Sequence, residues 1–258
     1  MGPAIDFHLH PAPESFPGPQ ECFHFLEKEF KANSIEKGVL LQLNSQPWSR
    51  EAIGSALASR TCIIGFVSVH PLEKDAPDKL AEYLERFPYK GLKLHPRLDR
   101  FEVNDPKTVE LVRLAGRKNV PVLIDAFPDG TSLMGGFEPK DYALLCHQCK
   151  DTNIVVAHFG GVRVLDFLLL AKRTPNMFFN TAYSLLYFRG SSVTQDLVYA
   201  IKSLRGKRVF YGSDYPDRGL GETLRLSVEE FSRFGLSEEM THDVLYGNAR
   251  EFLASYGL

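Results

Sequence analysis

Short apolar segments alternate with longer amphipathic segments along the whole chain. The apolar segments are rich in valine, isoleucine, leucine and phenylalanine, and several of them end in a polar residue, a pattern typical of strands buried in a parallel sheet. Eight strands are predicted in this way, over residues 4–9, 38–43, 62–69, 91–95, 120–125, 153–158, 177–181 and 208–212.

The segments between these strands have the spacing of helices with one apolar face. Helices are predicted over residues 21–33, from residue 49, over 76–87, from residue 105, and over 139–150, 162–173, 192–204 and 221–234, with a last helix over 238–255. Strands that alternate with helices indicate right-handed crossovers and a parallel α/β sheet. Eight such units in about 240 residues favour a closed (β/α)₈ TIM barrel with an extra C-terminal helix.

Composition and charge narrow the class of protein. No linker, low-complexity tract or charge block divides the 258 residues, so we expect one domain over residues 1–258. The absence of a GxGxxG motif after the first strand argues against a dinucleotide-binding fold. A net charge of −2 gives no reason to expect a nucleic-acid or membrane partner, and no apolar run approaches a bilayer span. The N-terminus lacks a signal-peptide pattern, so we expect a cytoplasmic protein with a small-molecule substrate.

Polar residues cluster where the predicted strands end. In a (β/α)₈ barrel the active site lies at the C-terminal ends of the strands, so these side chains should meet in one place. The four cysteines, by contrast, do not suggest a disulfide framework or a metal site, and we expect ordinary, partly buried thiols. The strand-end residues are His8, His10, His70, Lys93, His95, Asp125, His158 and Asp214.

The segment from Asp6 to His10 carries the strongest chemical signal. Residues two apart in a strand point to the same face, so Asp6, His8 and His10 are expected to face the barrel interior. Phe7 and Leu9 are then expected to face the helices. Two imidazoles at the open end of one strand can bind a metal ion together.

Two later strands end in similar chemistry. His158 ends an apolar strand and precedes two glycines, which let the chain turn close to a site. Asp214 follows the last strand, where an aspartate can ligate a metal or accept a proton from water. Each signal is weak alone, but their strand positions together indicate one active site.

These motifs resemble the amidohydrolase superfamily, specifically the amidohydrolase 2 branch of metal-dependent TIM-barrel hydrolases, which also includes the aminocarboxymuconate-semialdehyde and resorcylate type decarboxylases. The resemblance spans nearly the whole chain. It implies that His8 and His10 ligate a divalent metal, usually zinc, with Asp214 as ligand or proton acceptor. His158 would ligate a second metal or orient water and substrate. The matching segments are residues 6–10, 91–96, 158–161, 212–216 and 247–250.

The fifth strand departs from the family pattern. The family commonly has a metal-ligating histidine there, whereas this strand ends in Asp125. Asp125 can replace the histidine, since carboxylates also bind zinc. Alternatively, His95 takes that place, or the site lacks the ligand.

Lys93 and four further residues complete the candidate site. Lys93 is open to three interpretations: a carboxylated bridge between two metals, a cation that holds a substrate carboxylate, or a partner of a buried acid such as Asp6 or Asp125. We assign substrate contacts to four residues near the strand ends. They are His70, His95, Arg97 and Arg163.

Four functions are compatible with this set. The first is a metal-dependent hydrolase that uses metal-activated water on an ester, lactone or amide, with Asp214 as proton acceptor and His158 or Lys93 as oxyanion stabiliser. The second is a non-oxidative decarboxylase of an aromatic or unsaturated acid, which the departure at Asp125 makes weaker. The third is a metal-free lactonase, and the fourth is a barrel that binds a ligand without catalysis. The phenylalanine-rich outer helices also leave room for a homodimer.

Overall fold

Eight parallel strands form the centre of the molecule. The computed structural model describes residues 2–258, and the strands pair in chain order within one sheet. This confirms the predicted (β/α)₈ barrel. The strands are β1 Ala4–Leu9, β2 Ile35–Leu41, β3 Ile63–Ser68, β4 Gly91–Leu94, β5 Val122–Ile124, β6 Ile154–Val156, β7 Met177–Asn180 and β8 Val209–Phe210.

Helices follow each strand and cover the outside of the barrel. Three short helices, which lie in the loops that follow β4, β5 and β7, were not predicted. The helices are α1 Pro19–Ala32, α2 Arg50–Leu57, α3 Ala76–Arg86, α4 Pro96–Asp99, α5 Pro106–Arg117, α6 Gly130–Met134, α7 Pro139–Gln148, α8 Val164–Ala171, α9 Ser184–Tyr187, α10 Ser192–Ser203, α11 Leu220–Arg233, α12 Glu238–His242 and α13 Asn248–Ala254.

Backbone hydrogen bonds between β1 and the chain around β8 bring the two ends of the sheet together. The amide of Phe7 donates to the carbonyl of Tyr211 at 2.8 Å, and the amide of Asp214 donates to the carbonyl of His8 at 2.8 Å. The amide of His10 donates to the carbonyl of Tyr215 at 2.7 Å. These bonds place the His8–His10 segment directly beside Asp214.

The direction of Phe7 differs from the prediction. Phe7 packs inside the barrel, with its ring centroid 4.4 Å from that of Phe210 and 5.6 Å from that of Phe252. Ile5 lies in the same inner cluster, and the pairing of β1 with β2 changes register between Asp6 and Leu9, so one alternation of faces does not hold along the whole strand. Leu9 belongs to the outer layer between strands and helices, as expected.

The C-terminal part of the chain closes the end of the barrel opposite the polar strand ends. Phe252 and Leu253 of α13 belong to the same buried apolar cluster as Ile5 and Ile64, which lie near the starts of β1 and β3. The single helix expected over residues 238–255 is in fact α12 and α13 joined by a π-helical turn over Asp243–Gly247. The extra C-terminal helix is therefore present, but it is divided.

Two further expectations concern membranes and thiols. Among residues 2–258, no helix has both the length and the apolar character needed to cross a bilayer. All four cysteines are free thiols, and three of them are buried, namely Cys22, Cys146 and Cys149. Burial raises the pKa of the Cys149 thiol to about 11, so it stays protonated at neutral pH.

Candidate active site

The polar strand ends meet at one cavity, as the sequence predicts. The cavity has a volume of about 450 Å³, and its lining includes His10, His95, Asp125, His158 and Asp214. These residues follow β1, β4, β5, β6 and β8, so they are far apart in sequence. A cavity of this size suits a small molecule.

Asp214 lies against His8 of β1 and against His10, which follows that strand. Its Oδ1 atom is 3.0 Å from Nε2 of His8 and 3.4 Å from Nε2 of His10. The two Nε2 atoms are 3.1 Å apart. Burial alone would raise the pKa of the Asp214 carboxyl, but the adjacent His8 and His10 outweigh it and hold that pKa well below its usual range. Asp214 is therefore a carboxylate at neutral pH.

Asp6 holds β1 and the end of β8 in this arrangement. Its Oδ1 atom accepts a hydrogen bond from the amide of His8 at 3.1 Å and another from the amide of Ser213 at 2.9 Å. Because Asp6 is fully buried, its pKa is raised to about 7 despite these hydrogen bonds. The aspartate of the DxHxH motif thus positions the histidine segment and does not face the cavity.

On the opposite wall of the cavity, a second histidine, His158, lies against a second carboxylate, that of Asp125. Nε2 of His158 lies 3.0 Å from Oδ1 of Asp125, and Nδ1 of His158 lies 2.9 Å from the carbonyl oxygen of Ala182. Nε2 of His95 is 3.4 Å from the same Asp125 oxygen. Burial would raise the pKa of Asp125, but His95, His158 and Lys93 together shift it downward. Asp125 is therefore ionised and shared between two imidazoles.

The backbone around His158 has an unusual conformation. His158 and Phe159 have φ values of 62° and 47°, and Gly160 continues in the left-handed region at 72°. The sequence predicts that a strand runs to His158, whereas β6 ends at Val156 and a 3₁₀ turn begins at Ala157. This turn directs the imidazole across the barrel toward His8, with ring centroids 4.9 Å apart.

Lys93 lies beneath the cavity and is fully buried. Its Nζ atom has no hydrogen-bond partner among residues 2–258, so neither of the acids proposed as partners, Asp6 and Asp125, is in contact with it. Burial lowers the pKa of Lys93 to about 8, against the opposing attraction of Asp125 and Asp214. A buried amine whose N–H groups have no acceptor can donate hydrogen bonds to an anionic group or to a water molecule.

The four residues assigned to substrate contacts divide into two groups. His95 and Arg97 line the cavity, and Nη1 of Arg97 is 3.1 Å from the Asp129 carboxylate. Arg163 instead pairs with Asp166 on α8 at 2.6 Å and is not among the cavity-lining residues. His70 is held by the carbonyl of Asp99 at 2.8 Å, behind the cavity wall. The assignments of Arg163 and His70 to substrate contact are therefore not supported by their positions.

Aromatic side chains form one wall of the cavity. Phe127, Tyr183 and Tyr187 all line it. Tyr187 of α9 stacks on Tyr183, with ring centroids 4.8 Å apart. Its helix is a single turn, too short for a periodic sequence pattern to show. The wall is suited to the face of a planar substrate.

The donor atoms have the spacing of a metal site. One nitrogen or oxygen from each of His8, His158 and Asp214 lies within 4.8 Å of the others. The separations of 3.0 to 3.4 Å among His8, His10 and Asp214 match ligands that surround one zinc ion at about 2.1 Å. This cluster could therefore bind a divalent ion, and its residues do not single out one metal.

Comparison with known families agrees with the motifs. A model of the amidohydrolase family matches residues 5–254, which is almost the whole chain. The chain belongs to the amidohydrolase family. The resemblance inferred from the DxHxH, HFGG and GSDYP segments is thus confirmed. A search of curated proteins gave no match.

Solved structures with the same fold include other members of this family. An uncharacterised TIM-barrel protein from Bordetella bronchiseptica has a TM-score of 0.81 at 20% identity, with both chains fully covered. A probable 2-pyrone-4,6-dicarboxylic acid hydrolase from Acinetobacter baumannii, with citric acid bound, has a TM-score of 0.70 at 18% identity over 99% of each chain. A protein from Pseudomonas putida assigned the same activity has a TM-score of 0.69 at 19% identity, over 99% of this chain and 97% of that one. At these identities the likeness establishes the fold.

Proposed function

We propose that this amidohydrolase cleaves an ester, lactone or amide bond of a small carboxylate-bearing molecule, with Asp214 as the base that activates water. The observation that carries the proposal is the position of the ionised Asp214 carboxylate at the cavity floor, 3.0 Å from His8 and opposite the His158–Asp125 pair. A base on one wall and a proton donor on the other are what addition of water to a carbonyl requires.

Asp214 would take a proton from the attacking water. Nε2 of His8 donates to its Oδ1 atom, which leaves the other carboxylate oxygen for the water. The lowered pKa of Asp214 keeps the base ionised over a wide range of pH. The proton would then pass to the leaving group.

His158 would stabilise the developing oxyanion and supply a proton. Its Nδ1 faces a carbonyl oxygen and its Nε2 faces the Asp125 carboxylate, so both partners accept hydrogen bonds. This arrangement suits a ring with a proton on each nitrogen. To donate to an oxygen that becomes negative during the reaction, the Nε2–H would exchange its Asp125 partner for that oxygen.

Two cations support a substrate that carries a carboxylate. Arg97 lines the cavity, where its guanidinium lies 3.7 Å from Asp125 and 3.1 Å from Asp129, and it can turn to a substrate carboxylate. Lys93 is not at the lining, but its buried Nζ has no hydrogen-bond partner among residues 2–258 and adds positive charge close to the cavity. The related protein from Acinetobacter baumannii was solved with citric acid, a tricarboxylate, which fits the same chemistry.

A divalent ion, for which zinc is our sequence-based expectation, would be held by His8, His10 and Asp214, with His158 and Asp125 nearby. When bound, it would supply Lewis acidity and lower the pKa of water.

A metal-free lactonase is a second candidate. The specific observation that favours it is at Asp125, which stands where the family commonly has a ligating histidine. Its Oδ1 atom is already shared by His158 and His95. A carboxylate so engaged is a poor ligand for an additional ion.

The test is the variant Asp214→Asn, assayed on a panel of carboxylated lactones and esters. We expect kcat to fall by about 10³-fold or more, because the amide cannot accept the proton, while the melting temperature stays close to that of the wild type. Asp217→Asn is the matched control, since Asp217 lies at the cavity rim with an exposed side chain. Full turnover by Asp214→Asn would disprove the role of the base.

A further inference from the structure

Asn180 sits at the end of β7, fully buried between the two histidine walls. Its Oδ1 atom accepts a hydrogen bond from the backbone amide of His158 at 3.0 Å. Because a backbone amide can only donate, this contact fixes the orientation of the asparagine side chain. Its Nδ2 group must therefore face the other way, where it lies 3.1 Å from Nδ1 of His8.

The orientation of Asn180 decides where His8 carries its proton. The Nδ2 group of Asn180 donates, so Nδ1 of His8 accepts and has no proton of its own in the neutral ring. The proton is then on Nε2, which donates to Oδ1 of Asp214 at 3.0 Å. A metal ion needs the lone pair of Nε2, and in this tautomer a proton occupies it.

His10 shows the opposite arrangement in the same site. Its Nδ1 lies 2.8 Å from the carbonyl oxygen of Leu41, so that nitrogen is the donor and Nε2 keeps its lone pair. Metal-ligating histidines commonly donate their other ring N–H to a carboxylate or a carbonyl. His10 thus has the support of a metal ligand, whereas His8 has a donor where an acceptor is needed.

We propose that Asn180 is a positioning residue that weakens metal binding at this site by holding His8 in the tautomer protonated on Nε2. An ion can bind through Nε2 of His8 only if the proton moves to Nδ1. There the proton would face the Nδ2 donor of Asn180. The alternative is rotation of that amide, which would leave the His158 backbone amide facing another donor. Either change costs a buried hydrogen bond.

The test converts the donor to an acceptor with the variant Asn180→Asp. One carboxylate oxygen keeps the hydrogen bond from the His158 amide, and the other accepts from Nδ1 of His8. Zinc chloride is titrated into metal-free wild type and variant, and bound zinc is measured by elemental mass spectrometry after equilibrium dialysis. We expect the variant to bind zinc about 10- to 100-fold more tightly.

A second substitution ties any gain to His8. Adding His8→Gln to Asn180→Asp should abolish the tighter binding, because the new acceptor acts only through that ring. Equal zinc affinity in wild type and Asn180→Asp would overturn the proposal, as would tighter binding that survives His8→Gln. None of these measurements uses a substrate, so the result is separate from the success or failure of the proposed function.

A direct measurement on the wild type covers the case in which Asn180→Asp does not fold. The ¹⁵N chemical shifts of ring-labelled histidine distinguish a protonated from an unprotonated nitrogen, and His8→Gln assigns the signals. We expect Nδ1 of His8 to be unprotonated and Nε2 to be protonated in the metal-free protein. The reverse pattern would overturn the proposal without any variant at Asn180.

Discussion

At the scale of single residues, the site is built from groups whose protonation is set by what surrounds them. Burial lowers the pKa of His95 to about 3, so it is neutral beside Asp125. Burial also lowers the pKa of His8, although Asp214 opposes this. Strand-end positions predict which residues meet, but they do not predict which atoms carry protons, because those depend on contacts from other strands.

Lys93 gives a residue-scale prediction about stability. Its pKa of about 8 in the folded protein lies below the ordinary value of 10.5, so a buried charge destabilises the native state at neutral pH. Lys93→Met should therefore raise the free energy of unfolding by up to about 3 kcal/mol at pH 7. Urea denaturation with enzyme and variant in parallel measures the difference.

The pH dependence of that difference follows from the direction of the shift. Between pH 8 and 10.5 the unfolded chain keeps the proton on Lys93 while the folded chain has lost it, so wild-type stability rises with pH relative to the variant. The advantage of Lys93→Met should shrink across this window. A constant advantage, or a less stable variant at pH 7, would show that the ammonium has a partner in solution.

At the scale of elements, the turn after β6 departs most clearly from regular structure. The sequence predicts a glycine-containing turn after this strand but not its left-handed start at His158 and Phe159. Such residues need tertiary support, and here the hydrogen bond from the His158 amide to Asn180 provides it. The contact joins residues 22 positions apart, so local sequence cannot reveal it.

Gly160 and Gly136 provide a matched test of this turn. Both have positive φ values, but a Cβ atom at Gly160 would lie 2.0 Å from the Phe167 ring, whereas nothing lies within 4 Å at Gly136. We expect Gly136→Ala to cost about 1–2 kcal/mol in unfolding free energy, from backbone conformation alone. Gly160→Ala should cost several kcal/mol more and reduce turnover, because His158 would move.

Thermal unfolding and kcat of the two variants check this expectation. Similar destabilisation by both substitutions would mean that the turn adapts without displacing Phe167.

The three short helices account for the other differences between the predicted and the observed secondary structure. Helices α4, α6 and α9 are four or five residues long, which is less than two turns, so no apolar periodicity can mark them. Two of them are stabilised by a side chain at their start: His95 accepts from the amide of Leu98, and Asp129 accepts from the amide of Ser132. The substrate contact predicted for Arg163 stays a prediction, and in the structure its guanidinium pairs with Asp166 in the first turn of α8.

At the scale of the whole molecule, the alternation of eight strands and helices was enough to predict the barrel and the end at which the polar residues meet. Most strands are largely apolar, and several end in, or are soon followed by, a polar residue, which is a signal repeated across the chain. The shape of the cavity was not predictable, because it depends on how separate loops pack. The closure of the other end by α13 also depends on long-range packing.

A substitution at Phe252 tests whether packing at the end of the barrel closed by α13 is independent of the candidate site. Its ring packs on Phe7, Phe178 and Phe210 at the end of the barrel away from the cavity. Phe252→Ala should lower the free energy of unfolding by about 3–5 kcal/mol through lost packing. KM should stay within about two-fold of wild type at a temperature where both proteins are folded.

Calorimetry and steady-state kinetics measure the two effects independently. A large change in KM without loss of stability would place the site closer to α13 than the structure does.

The amide of Asn180 also bears on how such barrels diverge. Asparagine and aspartate codons differ by a single base, and the exchange keeps the hydrogen bond to the His158 amide. A single point mutation could therefore convert a barrel whose first histidine keeps a proton on Nε2 into one whose first histidine binds a metal ion there, and the rest of the fold would not need to change. Loss or gain of metal dependence among relatives need not then follow the branching order of their sequences.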